Sequence, residues 1–540
     1  MGACQRASKP LQQRLTSPSE PHIHAGSRYQ ARFFPFATLP LQLARRELEL
    51  SIERASTEPE VRGADLSAEL PWIAVLAVTG VLALIVLWFP VIRTFTHYEI
   101  NYNEGWNAYR ARLTDAGVPL YKTAPRYNAT NYPPLSFHLM GFLARFTEHE
   151  VDAGRYISLL SLLAIALLIA AIVRVFTQTR MAGAFAGLIF IVWLTLYAED
   201  RVGMNDPQLL ATVVSLAGLY VYLKRPEAPG WLCASAALFG VSVFTKHNLL
   251  AFPLAVAAHL LLTAPFRRFS LWVGAGVVAA GALFGATNLI DGPYFLAHLT
   301  LGRPWSLHNA ASSITAFFQV FQIPFAAAII WSVWSRRNRA WWILPLALIS
   351  AEGIAFGFAG GYGVVENIYF DSIIALAIIT GVAAGDIASA TVQRFGKATF
   401  AAVLCVALLS TIFLLPERIA HDVRIYRAFP SVEDRFAEAV EFVAQRPGPA
   451  LCASPLVCFE AGKEQEFDAY TVASQVAIGK ISVEDILSVI DIGYYRTIVL
   501  DAGEDNFRDI RPLGPVAQRI MERYRIALRA GRYTIWIPAA

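Results

Sequence analysis

Three stretches carry residue types that could do chemistry. In NYNEGWNAY (101–109) a single acid, Glu104, sits among amides and aromatic rings, with Tyr102, Asn103, Trp106 and Tyr109 around it. In AEDRVGMNDPQLLA (198–211) three acids, Glu199, Asp200 and Asp206, fall within eight residues, and Asp206 stands directly before Pro207. Asp followed by Pro is also an ordinary helix start, so capping is the competing reading of Asp206. Facing carboxylates suit a divalent cation, or let one act as a general base. Around them stand cations that suit a phosphate: Lys246 with its neighbour His247, Arg303 in LGRPWSLHN (301–309), and Arg155. Amides and aromatic rings, here Trp106, Tyr109, Tyr132 and Trp305, are the usual lining of a carbohydrate surface. Glu366, Asn367 and Asp371 form a weaker acidic group further along the chain.

The elements that must position these residues follow from composition. The 540 residues are 56% hydrophobic and 16% charged, with mean hydropathy +0.46. Soluble domains carry about 25% charge. The balance excludes a disordered chain and a soluble nucleic-acid binder, and a net charge of +4 implies no polyanionic partner. It describes an α-helical multi-pass membrane protein. Segments near 71–92, 155–176, 181–198, 206–223, 231–245, 249–265, 270–290, 313–334, 341–359, 368–388 and 399–415 approach the ~20 apolar residues a crossing needs. That predicts about 11 spans.

Five connecting loops hold eleven basic residues, from Arg174 and Arg180 to Arg394 and Lys397. The alternate short loops hold three, Arg201, Lys246 and Arg303. The positive-inside rule puts the first set in the cytoplasm and predicts an N-in/C-out chain. The acids at 104 and 199–206 then share the outer side with Lys246 and Arg303.

Residues 1–70 read as a flexible cytoplasmic tail, 71–416 as the transmembrane domain with a long first external loop at 93–154, and 417–540 as a small extracytoplasmic α/β domain. Ordered loops of such length are usually functional. Within it a helix is expected from about Glu104 to Ala116. After Pro133 and Pro134, Leu135, Leu139, Phe142 and Leu143 define the apolar face of an interfacial helix. In the C-terminal domain ALCAS (450–454), TIVLDA (497–502) and RYTIWIP (532–538) read as strands, and 431–445 and 515–528 as helices. Cys452 and Cys458 either pair or remain two buried thiols. There is no nucleotide-binding motif, no nucleophile elbow and no cytoplasmic domain to hold a nucleotide, so any donor arrives through the membrane.

The order of these pieces resembles the GT-C fold glycosyltransferases, in particular the bacterial branch with the protein O-mannosyltransferases and the aminoarabinose lipid A transferases. NYNEGWNAY, NYPPLSF and RVGMNDPQLL carry the likeness, which spans roughly residues 70–415. It implies a polyprenyl-phosphate sugar donor, transfer on the outer side of a bacterial inner membrane, and a glycolipid, polysaccharide or protein acceptor. It matches Glu104 to the family's first-loop acid and Asp206 to the second-loop acid. It makes Glu104 the base and Asp206 its orienting partner or a cation ligand. Lys246, His247, Arg303 and Arg155 are expected at the donor, with Trp106, Tyr109, Tyr132, Asp200 and Glu199 around the substrates. The family often has paired acids or an Asp in the first loop, whereas Asn103 stands beside Glu104 here. The alternative reading is a transporter or flippase for a lipid-linked or anionic substrate, which the lack of internal repeats disfavours.

Overall fold

In a computed structural model the chain is described over residues 66–335, 338–395, 397–501 and 513–539. The expected tail lies almost wholly outside the described residues. Residues 67–540 form one compact unit.

All eleven segments expected to cross the membrane are helical, and seven of the helices are long and apolar enough to do so. These seven include α1 (Leu66–Arg93), a 28-residue α4 (Glu150–Thr177) and an 18-residue α5 (Arg180–Tyr197). Three expected spans are shorter: α6 (Gln208–Lys224) and α7 (Pro229–Thr245) have 17 residues each, and α8 (Ala251–Thr263) has 13. At 1.5 Å per residue, α8 rises only about 20 Å against a hydrocarbon core of about 30 Å. The remaining long apolar helices are α9 (Phe266–Ile290), α11 (Leu307–Ser335), α12 (Ile343–Ala359, a 21-residue span with the 3-10 turn that begins at Arg339) and α13 (Phe370–Phe395), with a five-residue α10 (Phe295–Leu299) between the first two. Large buried side chains such as Phe185, Phe190, Phe317 and Tyr369 fill the centre of the bundle. The protein is an integral membrane protein.

The loop between α1 and α4 holds the two expected helices, α2 (Tyr102–Asp115) and α3 (Leu135–Ala144). Asn101 starts α2: its backbone is extended and its side chain accepts from the Asn103 N–H. On α3, Leu139 and Phe142 are exposed, as an interfacial face requires.

The eleventh expected span and the helix expected at 431–445 are one element, α14 (Lys397–Ala444), 48 residues long. It runs through Pro416 and Pro430, so the expected domain boundary at 416 falls inside a helix. Proline removes one backbone donor and can kink a helix without ending it when surrounding packing holds both sides. Phe429, Phe436, Ala439 and Val443 are buried and supply that packing.

The C-terminal region carries a four-stranded sheet ordered β1 (Ala450–Cys452), β2 (Thr497–Asp501), β4 (Tyr533–Pro538), β3 (Tyr524–Ala530). β1 and β2 are parallel; β4 pairs antiparallel with both β2 and β3. The helix expected over 515–528 stops at Arg523, and Tyr524 onward is strand. Tyr, Ile and Leu at alternate positions suit a half-buried strand, and pairing with β4 overrides the helical spacing. Between β1 and β2 lie α15 (Pro455–Glu460), α16 (Ala469–Ala477) and α17 (Val483–Asp491). Cys452 and Cys458 form a disulfide with Cα atoms 6.1 Å apart.

Candidate active site

A cavity of about 740 Å³ opens where the first loop, the second loop and the C-terminal region meet. Its wall takes Asn101, Tyr102, Asn103 and Trp106 from α2, Asn131 and Tyr132 from the approach to α3, and Glu199, Asp200 and Arg201 from the turn after α5. Arg303, Tyr362 and Glu366 come from later loops, Arg418 and His421 from α14, and Asp468, Tyr470, Thr471, Ser474 and Arg532 from the C-terminal region. Its size lies within the ~300–1,000 Å³ usual for ligand pockets, but its lining is far more polar than most.

Glu104 is absent from this wall. It is fully buried, and Arg155 grips it through Nε to Oε1 and Nη2 to Oε2, both at 2.7 Å. The backbone N–H groups of Ile100 (2.9 Å) and Asn205 (3.1 Å) take the remaining positions. Four donors leave no oxygen to receive a substrate proton, so the expected general base is a structural knot. Arg155 donates its other N–H groups to the carbonyls of Thr96 and Tyr98 (2.7 Å), so the expected phosphate ligand is spent as well. Gly154 lets the start of α4 approach: a Cβ there would lie 2.9 Å from that of Asn205.

Asp206 also stands behind the wall. It accepts from Lys246 Nζ at 2.6 Å and from the Gln208 N–H at 2.8 Å through Oδ1. Asn103 Nδ2 reaches Oδ2 at 3.4 Å and separates this pair from the cavity. Lys246 Nζ lies 4.7 Å from the centre of the Tyr132 ring, so its charge supports an aromatic wall residue from behind. His247 lies off the wall, 6.1 Å from the Tyr132 ring; desolvation, with Arg303 and Lys246 nearby, lowers it to about 4, and it is neutral at pH 7. Glu104 and Asp206 thus each have their own cation and do not face one another across the cavity.

Trp106 and Tyr132 are wall residues, packed edge to face at 5.0 Å. Tyr109 is not. Its ring meets Phe459 and its hydroxyl donates to the Lys463 carbonyl at 2.5 Å, which docks α2 on the C-terminal region. Glu199 borders the cavity, but Arg93 takes Oε1 and Arg418 takes Oε2. With His421 and Asp422 it forms a cluster of cation-ligand geometry. Arg418 also lies 2.8 Å from Asp422, so two guanidinium groups already neutralise its two carboxylates and a divalent cation fits poorly.

The cavity-facing groups with spare capacity are therefore others. Asp200 and Glu366 flank Arg201, at 3.1 and 3.6 Å. Arg201 is buried, 6% exposed, yet neither its Nε nor its Nη1 makes a hydrogen bond among the described residues. Arg303 is exposed on the wall and has no carboxylate partner among the described residues.

Sequence reasoning passed over Arg201, although it adjoins Asp200 in AEDR. It also missed Asp468, whose carboxylate takes the Tyr102 hydroxyl (2.8 Å), Trp106 Nε1 (3.2 Å) and the first N–H groups of α16. Asp468 reads locally as a helix cap, and no local pattern announces its contacts with Tyr102 and Trp106, 366 and 362 positions away.

Comparison with known proteins agrees with this architecture. Residues 131–288 match the family model described as dolichyl-phosphate-mannose-protein mannosyltransferase. The ArnT of Cupriavidus metallidurans superposes with TM-score 0.55 in its apo state and 0.53 bound to undecaprenyl phosphate, at 18% and 16% identity. Each comparison covers 87% of this chain and 98% of ArnT. The Archaeoglobus fulgidus oligosaccharyltransferase tethered to an acceptor peptide superposes with TM-score 0.50 at 11% identity, over 87% of this chain and 74% of its own. No curated protein matches the chain in sequence. The fold is that of the GT-C membrane glycosyltransferases.

Proposed function

We propose that this protein is a membrane glycosyltransferase that moves a sugar from a polyprenyl-phosphate donor to an acceptor outside a bacterial inner membrane. One observation carries the reading: a cavity lined by Tyr, Trp and amide groups holds an exposed cation, Arg303, and a buried guanidinium with an unused N–H, Arg201, beside the carboxylates of Asp200 and Glu366. Rings and amides suit a sugar, the cations suit a phosphate leaving group, and a carboxylate suits removal of the acceptor proton. The fold, and the lipid phosphate bound by ArnT, support the same donor class.

In this reading the acceptor oxygen bonds to the anomeric carbon as the bond to the donor phosphate breaks. Arg303 and Arg201 stabilise the departing lipid phosphate. The acceptor is a glycolipid, polysaccharide or protein hydroxyl. The eleven helical segments cross the membrane with the N-terminus inside and the C-terminal region outside, which puts the cavity on the outer side.

The test is transfer of radiolabel from a panel of undecaprenyl-phosphate monosaccharides to crude envelope extract by the purified protein in lipid. Labelled product that depends on the protein supports the reading. Absence of product from every donor, with transbilayer movement of the lipid instead, establishes the flippase.

A further inference from the structure

Four carboxylates reach the cavity wall: Glu199, Asp200, Glu366 and Asp468. A general base needs an oxygen that no protein donor occupies, together with contacts that aim it. Glu199 has an arginine on each oxygen. Asp468 accepts on Oδ1 from Tyr102 and from the N–H groups of Tyr470 and Thr471, and on Oδ2 from Trp106 and the Thr471 hydroxyl. Neither has capacity left. Glu366 is nearly half exposed, and its one ionic contact is Arg201 at 3.6 Å. It has a free oxygen but little to aim it.

Asp200 meets both requirements. Arg201 Nε lies 3.1 Å from Oδ2, and Asn101 Nδ2 donates to the same oxygen at 3.4 Å. Both contacts fall on one oxygen, so Oδ1 has no protein donor among the described residues. The side chain is 38% exposed, enough for an acceptor to reach it. The Arg201 contact is an ion pair without hydrogen-bond geometry, made by a buried guanidinium, and the Asn101 amide is held in place as the cap of α2.

We propose that Asp200, rather than Glu104 or Asp206, is the general base, and that Arg201 and Asn101 aim it. This rests on the transferase reading. The acceptor hydroxyl gives its proton to Asp200 Oδ1 while its oxygen forms the bond to the anomeric carbon. The anomeric carbon–phosphate oxygen bond breaks, and its electron pair leaves on the lipid phosphate. Asp200 then releases the proton to water in the cavity.

The experiment compares wild type with Asp200→Asn, Asp200→Glu and Glu366→Gln in lipid, using the best donor from the undecaprenyl-phosphate monosaccharide panel and envelope extract. Donor concentration and pH are varied, and retention of undecaprenyl phosphate is measured separately. Asp200→Asn is expected to lower kcat by at least about 100-fold. Its donor KM should stay within about threefold, its lipid retention should be unchanged, and the acid limb of its pH profile should disappear. Asp200→Glu should recover part of the rate, because it restores a carboxylate. Glu366→Gln should cost less than about fivefold and keep the acid limb. Asp200→Asn that keeps a tenth of kcat overturns the assignment, as does a Glu366→Gln variant that takes the loss instead. Loss of lipid retention in Asp200→Asn also overturns it, because the residue is then structural. A wild type that transfers from no donor overturns the transferase reading itself, and the base assignment with it.

Discussion

The Cα of Gly105 lies against the backbone of α15: a Cβ built there would come within 2.6 Å of the Pro455 carbonyl carbon and 2.7 Å of Leu456 Cα. Only a residue without a side chain allows this approach. Glu99 clasps the same junction, accepting from the Ser454 hydroxyl and from the Leu456 N–H at 3.0 Å. The next residue after Glu104, in the middle of the first-loop motif, is thus an attachment point for the C-terminal region.

Gly105→Ala forces two backbones apart that cannot yield as a side-chain tip can. The expected cost is about 1–3 kcal/mol, the range for overpacking. Thermal denaturation in detergent should show a lower midpoint, and transfer activity should fall with it. Gly80, with open space around the position of its Cβ, is the control, and Gly80→Ala should leave both unchanged.

Glu104→Gln separates a knot from a base. Arg155 is 2% exposed, and loss of its partner leaves a buried charge uncompensated, at about 3–5 kcal/mol. The variant should therefore melt early or accumulate poorly, and Glu104→Gln with Arg155→Gln together should recover part of the lost stability. A variant with unchanged melting and abolished turnover would return Glu104 to the chemistry.

The order of the helices, and two of the segments that meet at the cavity, were legible in the sequence; the partners of the acids were not. The spacing of apolar runs marks where the helices lie, and AEDRVGMND does border the cavity. Which acid is free depends on which cation lands beside it. The sequence shows the type and side of Arg155 and Lys246, which suit phosphate ligands, but not their partners. Both close on carboxylates, 51 and 40 residues away, whereas Arg303 on the cavity wall has no carboxylate partner among the described residues. The C-terminal region's part in the wall was hidden for the same reason, since Asp468 meets Tyr102 across 366 positions.

Burial, against the Ser454 and Leu456 donors, raises Glu99 to about 8. The folded protein holds a proton there that the unfolded chain, at the ordinary value near 4.3, has lost. Between about pH 4.3 and 8 the folded state binds more protons at this residue, so its contribution to stability falls as pH rises through that window. The melting midpoint should decline from pH 5 to pH 8, and Glu99→Gln should flatten that slope. An unchanged slope in the variant would assign it to another group.

The chain has five cysteines, and the disulfide takes two. Alkylation of the denatured, unreduced protein should label Cys233 and leave Cys452 and Cys458 unlabelled, and prior reduction should expose both to the reagent. In the chain-entropy account so short a loop stabilises by roughly 2 kcal/mol. Peptide mass after alkylation reads the pairing directly, and labels on Cys452 and Cys458 without reductant would refute it.

The donor kinetics of Arg303→Ala in the transfer assay test the central claim most directly. Arg303 is an exposed cation of the cavity with no ionic partner among the described residues, so its removal should cost the phosphate contact and leave the fold intact. Donor KM should rise about tenfold, equivalent to about 1.4 kcal/mol, with an unchanged melting midpoint. A donor KM indistinguishable from wild type, in a protein that transfers sugar, would place the donor phosphate elsewhere and contradict the assignment of this cavity.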